Sequence, residues 1–310
     1  MRAPLGARIL CGIIKVMNIL YSALMALVGV VMGSFAGAQV WRLRAHQVAY
    51  DKKHKEPYDK HEYAKLKPLM AQYRHKPDRS QCLSCGHTLG FLDLIPLFSW
   101  AAQGGRCRYC GARIGAFEPA MELGVAIVFV ASYLFWPFGL VNAAHIALFV
   151  TWLVIMVVLA ILAAYDIKWQ LLPDSMNITL IALSVVFIGL RALALPGTVD
   201  VISALGAVAI LAGLYAAIYV LSKGAWIGLG DVKLGVGLGL ILGDWRLGFL
   251  ALFLANLIGT FVALPGVLLS RLSGGSRIAF GPFLIAGTLL SLWWGAPFIS
   301  WLFSKSLLLF

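Results

Sequence analysis

Asp231 stands in the run Gly228-Leu-Gly230-Asp231-Val-Lys233, directly ahead of a stretch, 234–242, made almost entirely of Gly, Leu, Ile and Val. A carboxylate at the edge of so apolar a segment is expensive and marks a functional site by default. The glycines at 228 and 230 remove side chains, so another backbone could approach the acid closely. A second acid, Asp166, closes another apolar run and opens Asp166-Ile-Lys-Trp-Gln-Leu-Leu-Pro173-Asp174. Two carboxylates that share a site cannot both ionise easily, so one keeps a proton. Such a pair offers a base to activate water and an acid to assist a leaving amine at a peptide bond. Taken singly, each acid has a plainer reading: Asp231 as a helix cap or a partner of Lys233, and Asp166 as a partner of Lys168.

A different chemistry is written in the cysteines. Four of the five form the pairs Cys82-x-x-Cys85 and Cys107-x-x-Cys110, and Gly86 and Gly111 follow each pair. Two such knuckles fit a tetrahedral Zn site, against iron or reversible thiol chemistry as alternatives. Four thiolates fill the coordination shell, so a zinc there is structural. His87 is surplus as a ligand, and His54, His61 and His75 follow no ligand spacing. Cys11 stands apart.

The elements that must position these groups are apolar helices. The chain has 310 residues, 61% of them hydrophobic and 12% charged, a composition that excludes an ordinary soluble domain and reads as a polytopic membrane protein. Apolar runs fall near 16–40, 122–136, 145–165, 176–195, 199–221, 232–242, 247–269 and 282–303, giving about eight transmembrane helices. The run 232–242 is too short to span unaided, and Gly235, Gly237 and Gly239 suit it to tight packing inside a bundle. The run after the basic residues Arg2, Arg8 and Lys15 is too long for a signal-peptide core and reads as an uncleaved first helix. Pro173 is expected to separate the turn after Asp166 from a helix near residue 175, with Asp174 cap-like.

The net charge of +12 does not point to nucleic acid, because 14 of the 25 Lys and Arg lie between residues 41 and 121. Basic loops mark the cytoplasmic side. Alternating eight crossings from that loop places Lys168, Lys223, Lys233, Arg271 and Arg277 on the same side, and with them both Asp166 and Asp231. Within the loop, 59–73 could form a short surface helix, and contact with anionic lipid or a partner is an alternative to plain solvation. The expected domains are 1–41 (first helix), 42–121 (cytoplasmic loop with a metal module over 82–114) and 122–310 (catalytic bundle).

Taken together, Asp166-x7-Asp174 with Leu172-Pro173-Asp174, followed by Gly228-x-Gly230-Asp231-x-Lys233, resembles the signature of the type IV prepilin peptidases, membrane aspartic proteases of the GxGD type. Gly33-Ser-Phe35 and Arg42 resemble the family's first motif. The tetracysteine module, with Asp93-Leu-Ile-Pro96, Ser99-Trp100 and Gly105-Arg-Cys-Arg108, resembles its cytoplasmic domain, and Phe117-Glu-Pro-Ala-Met-Glu122-Leu the entry to its second helix. The chain departs from the pattern at Gly37, where the family usually has asparagine, near Arg44, where it has proline, and in a longer insertion over 45–80.

The resemblance implies an all-α polytopic membrane fold with a small zinc-ribbon-like insertion, in the bacterial inner membrane. It implies an endopeptidase that cuts the basic leader of prepilins or pseudopilins after a glycine at the cytoplasmic face. N-methylation of the new terminus with S-adenosylmethionine is the implied second activity. Asp166 and Asp231 map onto the catalytic carboxylates, with Asp174, Gly228, Gly230 and Lys233 in support and Cys82, Cys85, Cys107 and Cys110 on the metal. Two other classes compete: a channel or transporter with Asp166 and Asp231 in its path, and a zinc-ribbon adaptor without catalysis.

Overall fold

The computed structural model describes residues 5–72, 79–268 and 278–306; Arg2, His75, Arg271 and Arg277 lie outside them. Its described residues form helices and turns, with two isolated β-bridges and no named strand. Seven helices among them are long and apolar enough to cross a membrane. The chain is a multi-pass membrane protein built as two compact units, 1–134 and 135–310.

The first unit is organised by α1, Leu5–His54, and α4, Phe117–Leu134. Small residues let their backbones meet. A Cβ on Gly29 would lie 2.6 Å from Ala126 Cα, and one on Gly33 2.6 Å from Glu122 Cα. Gly29 and Gly33 are one turn apart, as are Ala126 and Glu122, so the two helices run antiparallel in glycine-mediated contact. The expected first helix ended at residue 40, but α1 continues to His54. Its 50 residues reach about 75 Å, far beyond an apolar core, so the basic stretch 42–54 extends the same helix where a loop was expected. Trp41 Nε1 donates to Glu118 Oε1 at 3.1 Å, tying this extension to the start of α4.

The expected surface helix is α2, Lys60–Gln72, started by the Asp59 carboxylate, which accepts from His61 N at 2.7 Å. Arg44 Nε donates to Glu62 at 3.0 Å, and Ala45, Val48, Leu66 and Leu69 close a small apolar core between α2 and α1. Of the insertion over 45–80, residues 45–54 thus belong to α1 itself, and α2 packs back against them.

The second unit begins with α5, Ala143–Trp169, whose Leu148, Trp152, Ile155, Leu159 and Leu162 are all buried. A helix apolar all round belongs inside a bundle. This one packs against α6 (Asp174–Ala194) and α11 (Gly281–Ser306), and α7 (Val201–Val208), α8 (Leu214–Ser222), α9 (Leu229–Leu242) and α10 (Trp245–Leu268) complete the unit, with α9 in contact with α6, α7, α8, α10 and α11. A π turn, Ala209–Gly213, joins α7 to α8 in one continuous span.

The short apolar run, 232–242, lies in α9. Its 14 residues are not among the seven spans, yet Lys233 near its start pairs with Asp174 at the start of α6, and Arg191 Nη1, near the end of α6, donates to Leu242 O at 2.9 Å. A short helix thus runs parallel to a spanning one and is fastened near both ends. Its glycines set the packing. A Cβ on Gly239 would sit 2.7 Å from Val208 Cα, one on Gly235 2.6 Å from Leu211 O, and one on Gly237 2.8 Å from Leu180 of α6.

Candidate active site

Asp166 sits in the last turn of α5, where Gln170 ends the helix in the left-handed region and donates its N–H to Asp166 O at 2.7 Å. The carboxylate turns inward and is only 5% exposed. Its Oδ2 accepts the backbone N–H of Gly281 at 2.9 Å. Gly281 is the first residue of α11, so an orphan donor at a helix N-terminus meets a carboxylate, the favourable sense for the helix dipole. A Cβ on Gly281 would lie 2.8 Å from the same oxygen, which leaves no side chain but hydrogen there. Lys168, the plainer partner for Asp166, lies over the Trp169 ring.

Asp231 occupies the first turn of α9, with Gly228 at the N-cap and the Asp231 N–H on Gly228 O at 3.2 Å. The two glycines differ in use. Gly230 faces Leu172, whose Cβ would be 2.8 Å from an added Cβ, while a Cβ on Gly228 would come within 4.0 Å of Asp231 Oδ2. The Leu172-Pro173-Asp174 turn therefore packs onto the Gly228–Lys233 turn. Asn177 Nδ2 reaches Gly230 O at 3.4 Å, and Lys233 Nζ donates to Asp174 Oδ1 at 2.6 Å. Asp174 is the first helical residue of α6, and Pro173, not Asp174, holds the capping position. The pairing of Lys233 with Asp174 also replaces the expected alternative of Lys233 with Asp231.

The turns that carry the two acids pack on each other, Leu172 against Gly230 and Lys233 on Asp174, which leaves Asp231 within electrostatic reach of Asp166. The acids arrive on different elements, 65 positions apart, with α11 joining them, since Leu234 of α9 also lies against Gly281. Two residues escaped the reading of the sequence. Gly281 was legible only as the Gly-Pro that starts a helix, a common N-terminal signal. Tyr215 carried no signal at all, being one aromatic among many.

In the first unit the four cysteine sulfurs lie within 4.8 Å of one another, with Cys82 and Cys110 Sγ 3.9 Å apart. A tetrahedron with Zn–S bonds of about 2.3 Å requires sulfurs roughly 3.8 Å apart, so the donor set fits zinc. Each knuckle is the same turn: Gly86 N donates to Cys82 O and Gly111 N to Cys107 O, both at 2.9 Å, with both glycines at positive φ. His87 stacks on Tyr109, ring centroids 3.6 Å apart, in keeping with its surplus role. Asp93 gathers the module, accepting from Gly90 N at 3.1 Å and Tyr109 Oη at 3.2 Å and pairing with Arg108. Trp100 packs over Gly105 and donates to Gly115 O at 3.2 Å, and Leu97 N donates to Glu122 Oε2 at 2.7 Å.

A membrane bundle in which a Leu-Pro-Asp turn packs on a Gly-x-Gly-Asp turn, in a chain that also carries a tetracysteine module, fits a class: intramembrane peptidases of the aspartic type. Comparison with known proteins gives the family. Residues 27–136 match the bacterial peptidase A24 N-terminal domain, and residues 153–264 match the type IV leader peptidase family. A prepilin leader peptidase/N-methyltransferase of Aeromonas hydrophila is 32% identical over 290 residues, covering 91% of this chain and 93% of the relative. Relatives with the same name in Pseudomonas aeruginosa and Bacillus subtilis are each 31% identical, covering 74% of this chain and 76% and 87% of themselves. No solved structure matches. The chain belongs to the type IV leader peptidase family and is a prepilin peptidase.

Proposed function

We propose that this peptidase cuts the basic leader from prepilins or pseudopilins at the cytoplasmic face of the inner membrane, with Asp166 and Asp231 as its catalytic pair. The observation that supports the assignment is the packing of the Leu172-Pro173-Asp174 turn, which follows Asp166, onto the Gly228–Lys233 turn, which carries Asp231. One carboxylate takes a proton from water as the water oxygen attacks the scissile carbonyl carbon. The other gives its proton to the leaving nitrogen as the C–N bond breaks. Which acid plays which part is a property of the pair. Gly228 leaves the approach to Asp231 open to an extended peptide, and Asp174 and Lys233 brace the two turns against each other. The basic leader suits a face that carries the chain's positive loops only if it stays solvated there, while the apolar helix behind it lies along the bundle.

Zinc on Cys82, Cys85, Cys107 and Cys110 would cross-link the two knuckles and take no part in hydrolysis. The relatives' name also includes an N-methyltransferase. Alignment over nine-tenths of the chain with one of them supports methylation of the new N-terminus as a second activity, with S-adenosylmethionine as donor.

The test is cleavage of a synthetic prepilin leader peptide by the purified protein in detergent. The wild type should make one defined cut, and Asp166→Asn and Asp231→Asn should make none while remaining monodisperse. Cutting by either variant at the wild-type rate sinks the assignment. A channel or an adaptor, the competing classes, would give no cut with any of the three. The mass gain of one methyl group on the product, in the presence of S-adenosylmethionine, reads the second activity.

A further inference from the structure

Tyr215 is 4% exposed, and its hydroxyl is buried with no hydrogen-bond partner among the described residues. Buried phenols usually find a partner, so an orphan hydroxyl asks for an explanation. The register of α9 against the preceding span says where this one points. Gly239 meets Val208, and Gly235, one turn earlier, meets Leu211 and Ala212. The helices run antiparallel, so one turn earlier still Asp231 faces Tyr215. The electrostatic contact between Asp231 and Tyr215 agrees with that register. On its other side the Tyr215 ring packs on Phe280, centroids 5.6 Å apart, and Phe280 precedes the Gly281 whose N–H holds Asp166. Tyr215 thus stands on a closed circuit of neighbours: Asp166, Gly281, Phe280, Tyr215, Asp231. The π turn at Ala209–Gly213 shifts the helix phase just ahead of it, and such turns are frequent at functional sites.

We infer that Tyr215 is a catalytic residue whose hydroxyl donates a hydrogen bond to the scissile carbonyl oxygen of the leader peptide as that oxygen gains negative charge. A donor fixed by packing, with no hydrogen bond to an acceptor among the described residues, is spared for a group that arrives with the substrate. In a site shielded from water such a donor acts mainly on the transition state. This inference rests on the proposed cleavage by Asp166 and Asp231.

The variant is Tyr215→Phe, which keeps the ring on Phe280 and removes only the donor. With the leader peptide as substrate, kcat should fall by about a hundredfold and KM stay within about twofold. A leader peptide carrying a non-cleavable hydroxyethylene isostere at the scissile bond should lose affinity by a similar factor. A kcat within twofold of wild type overturns the inference. So does a changed pH profile with the isostere affinity intact, which would mean that the phenol only holds Asp231. If wild type itself does not cut, the proposed function fails first and this inference with it. Wild-type cutting that Asp231→Asn abolishes and Tyr215→Phe leaves intact defeats the inference alone. If the phenylalanine variant does not fold, site-specific 3,5-difluorotyrosine at 215 replaces it. The more acidic phenol should move the alkaline limb of the kcat profile to lower pH, and an unmoved limb overturns the inference.

Discussion

Lys233 closes its ion pair on Asp174, Nζ to Oδ1 at 2.6 Å, and not on Asp231 two positions away. The one cation in the Gly-x-Gly-Asp turn is thereby spent on the Leu-Pro-Asp turn, and the acid beside it is left to face Asp166 and Tyr215. Both partners of the pair are substantially exposed, and exposed pairs contribute about 0 to 1 kcal/mol. Lys233→Met and Asp174→Asn should each leave thermal stability in detergent nearly unchanged. A double-mutant cycle on unfolding should give a coupling below about 1 kcal/mol. A much larger coupling would show that the pair fixes the two turns and does more than brace them.

Gly281→Ala places a methyl 2.8 Å from Asp166 Oδ2, so the carboxylate or the start of α11 must move. Small displacements of a reacting group can cost about a hundredfold in rate. Leader cleavage should fall by that order, read as kcat, while the melting temperature changes little, because the clash is with one side chain. Full activity would show that Asp166 tolerates the shift and that its hydrogen bond to Gly281 does not set catalysis.

The glycines of α9 bear on stability instead. A Cβ at Gly235 would press on the backbone at Leu211 O, and one at Gly239 on Val208 Cα, neither of which can swing away. Gly235→Ala and Gly239→Ala should each destabilise by about 1 to 3 kcal/mol, the usual range for overpacking. Thermal unfolding monitored in detergent checks this, and an unchanged melting temperature for both would mean that α9 is held more loosely than the contacts imply.

The metal module gives a stoichiometric expectation. The purified chain should carry one zinc, and Cys82→Ser or Cys107→Ser should lose it, because three thiolates leave the tetrahedron open. Elemental analysis of protein purified without chelator decides it. Iron in place of zinc, or no metal with all four thiols reactive, would overturn the zinc assignment.

Much of this protein was legible before any coordinate. The membrane class followed from composition, the knuckles from two Cys-x-x-Cys pairs, and the proposed acids were singled out as carboxylates set where apolar runs end. Those signals are local, since a charge beside lipid or a thiol at fixed spacing has few other uses. Element ends were less legible. The basic residues after 40 read as a loop because charge usually leaves the membrane that way, yet helix propensity and the cover from α2 carry α1 on to His54.

Which partner each acid meets became visible in the folded chain alone. Asp166 owes its hydrogen bond to a glycine 115 positions later, and Tyr215 faces Asp231 through a register set by Gly235 and Gly239. Nothing local marks either residue, because a glycine at a helix start and a tyrosine in an apolar span are both ordinary. Residue type and spacing alone singled out the two acids and the four thiols as groups able to do chemistry, but not Tyr215. Packing determined which of them share a site, since close approach of helices depends on small residues on several elements at once.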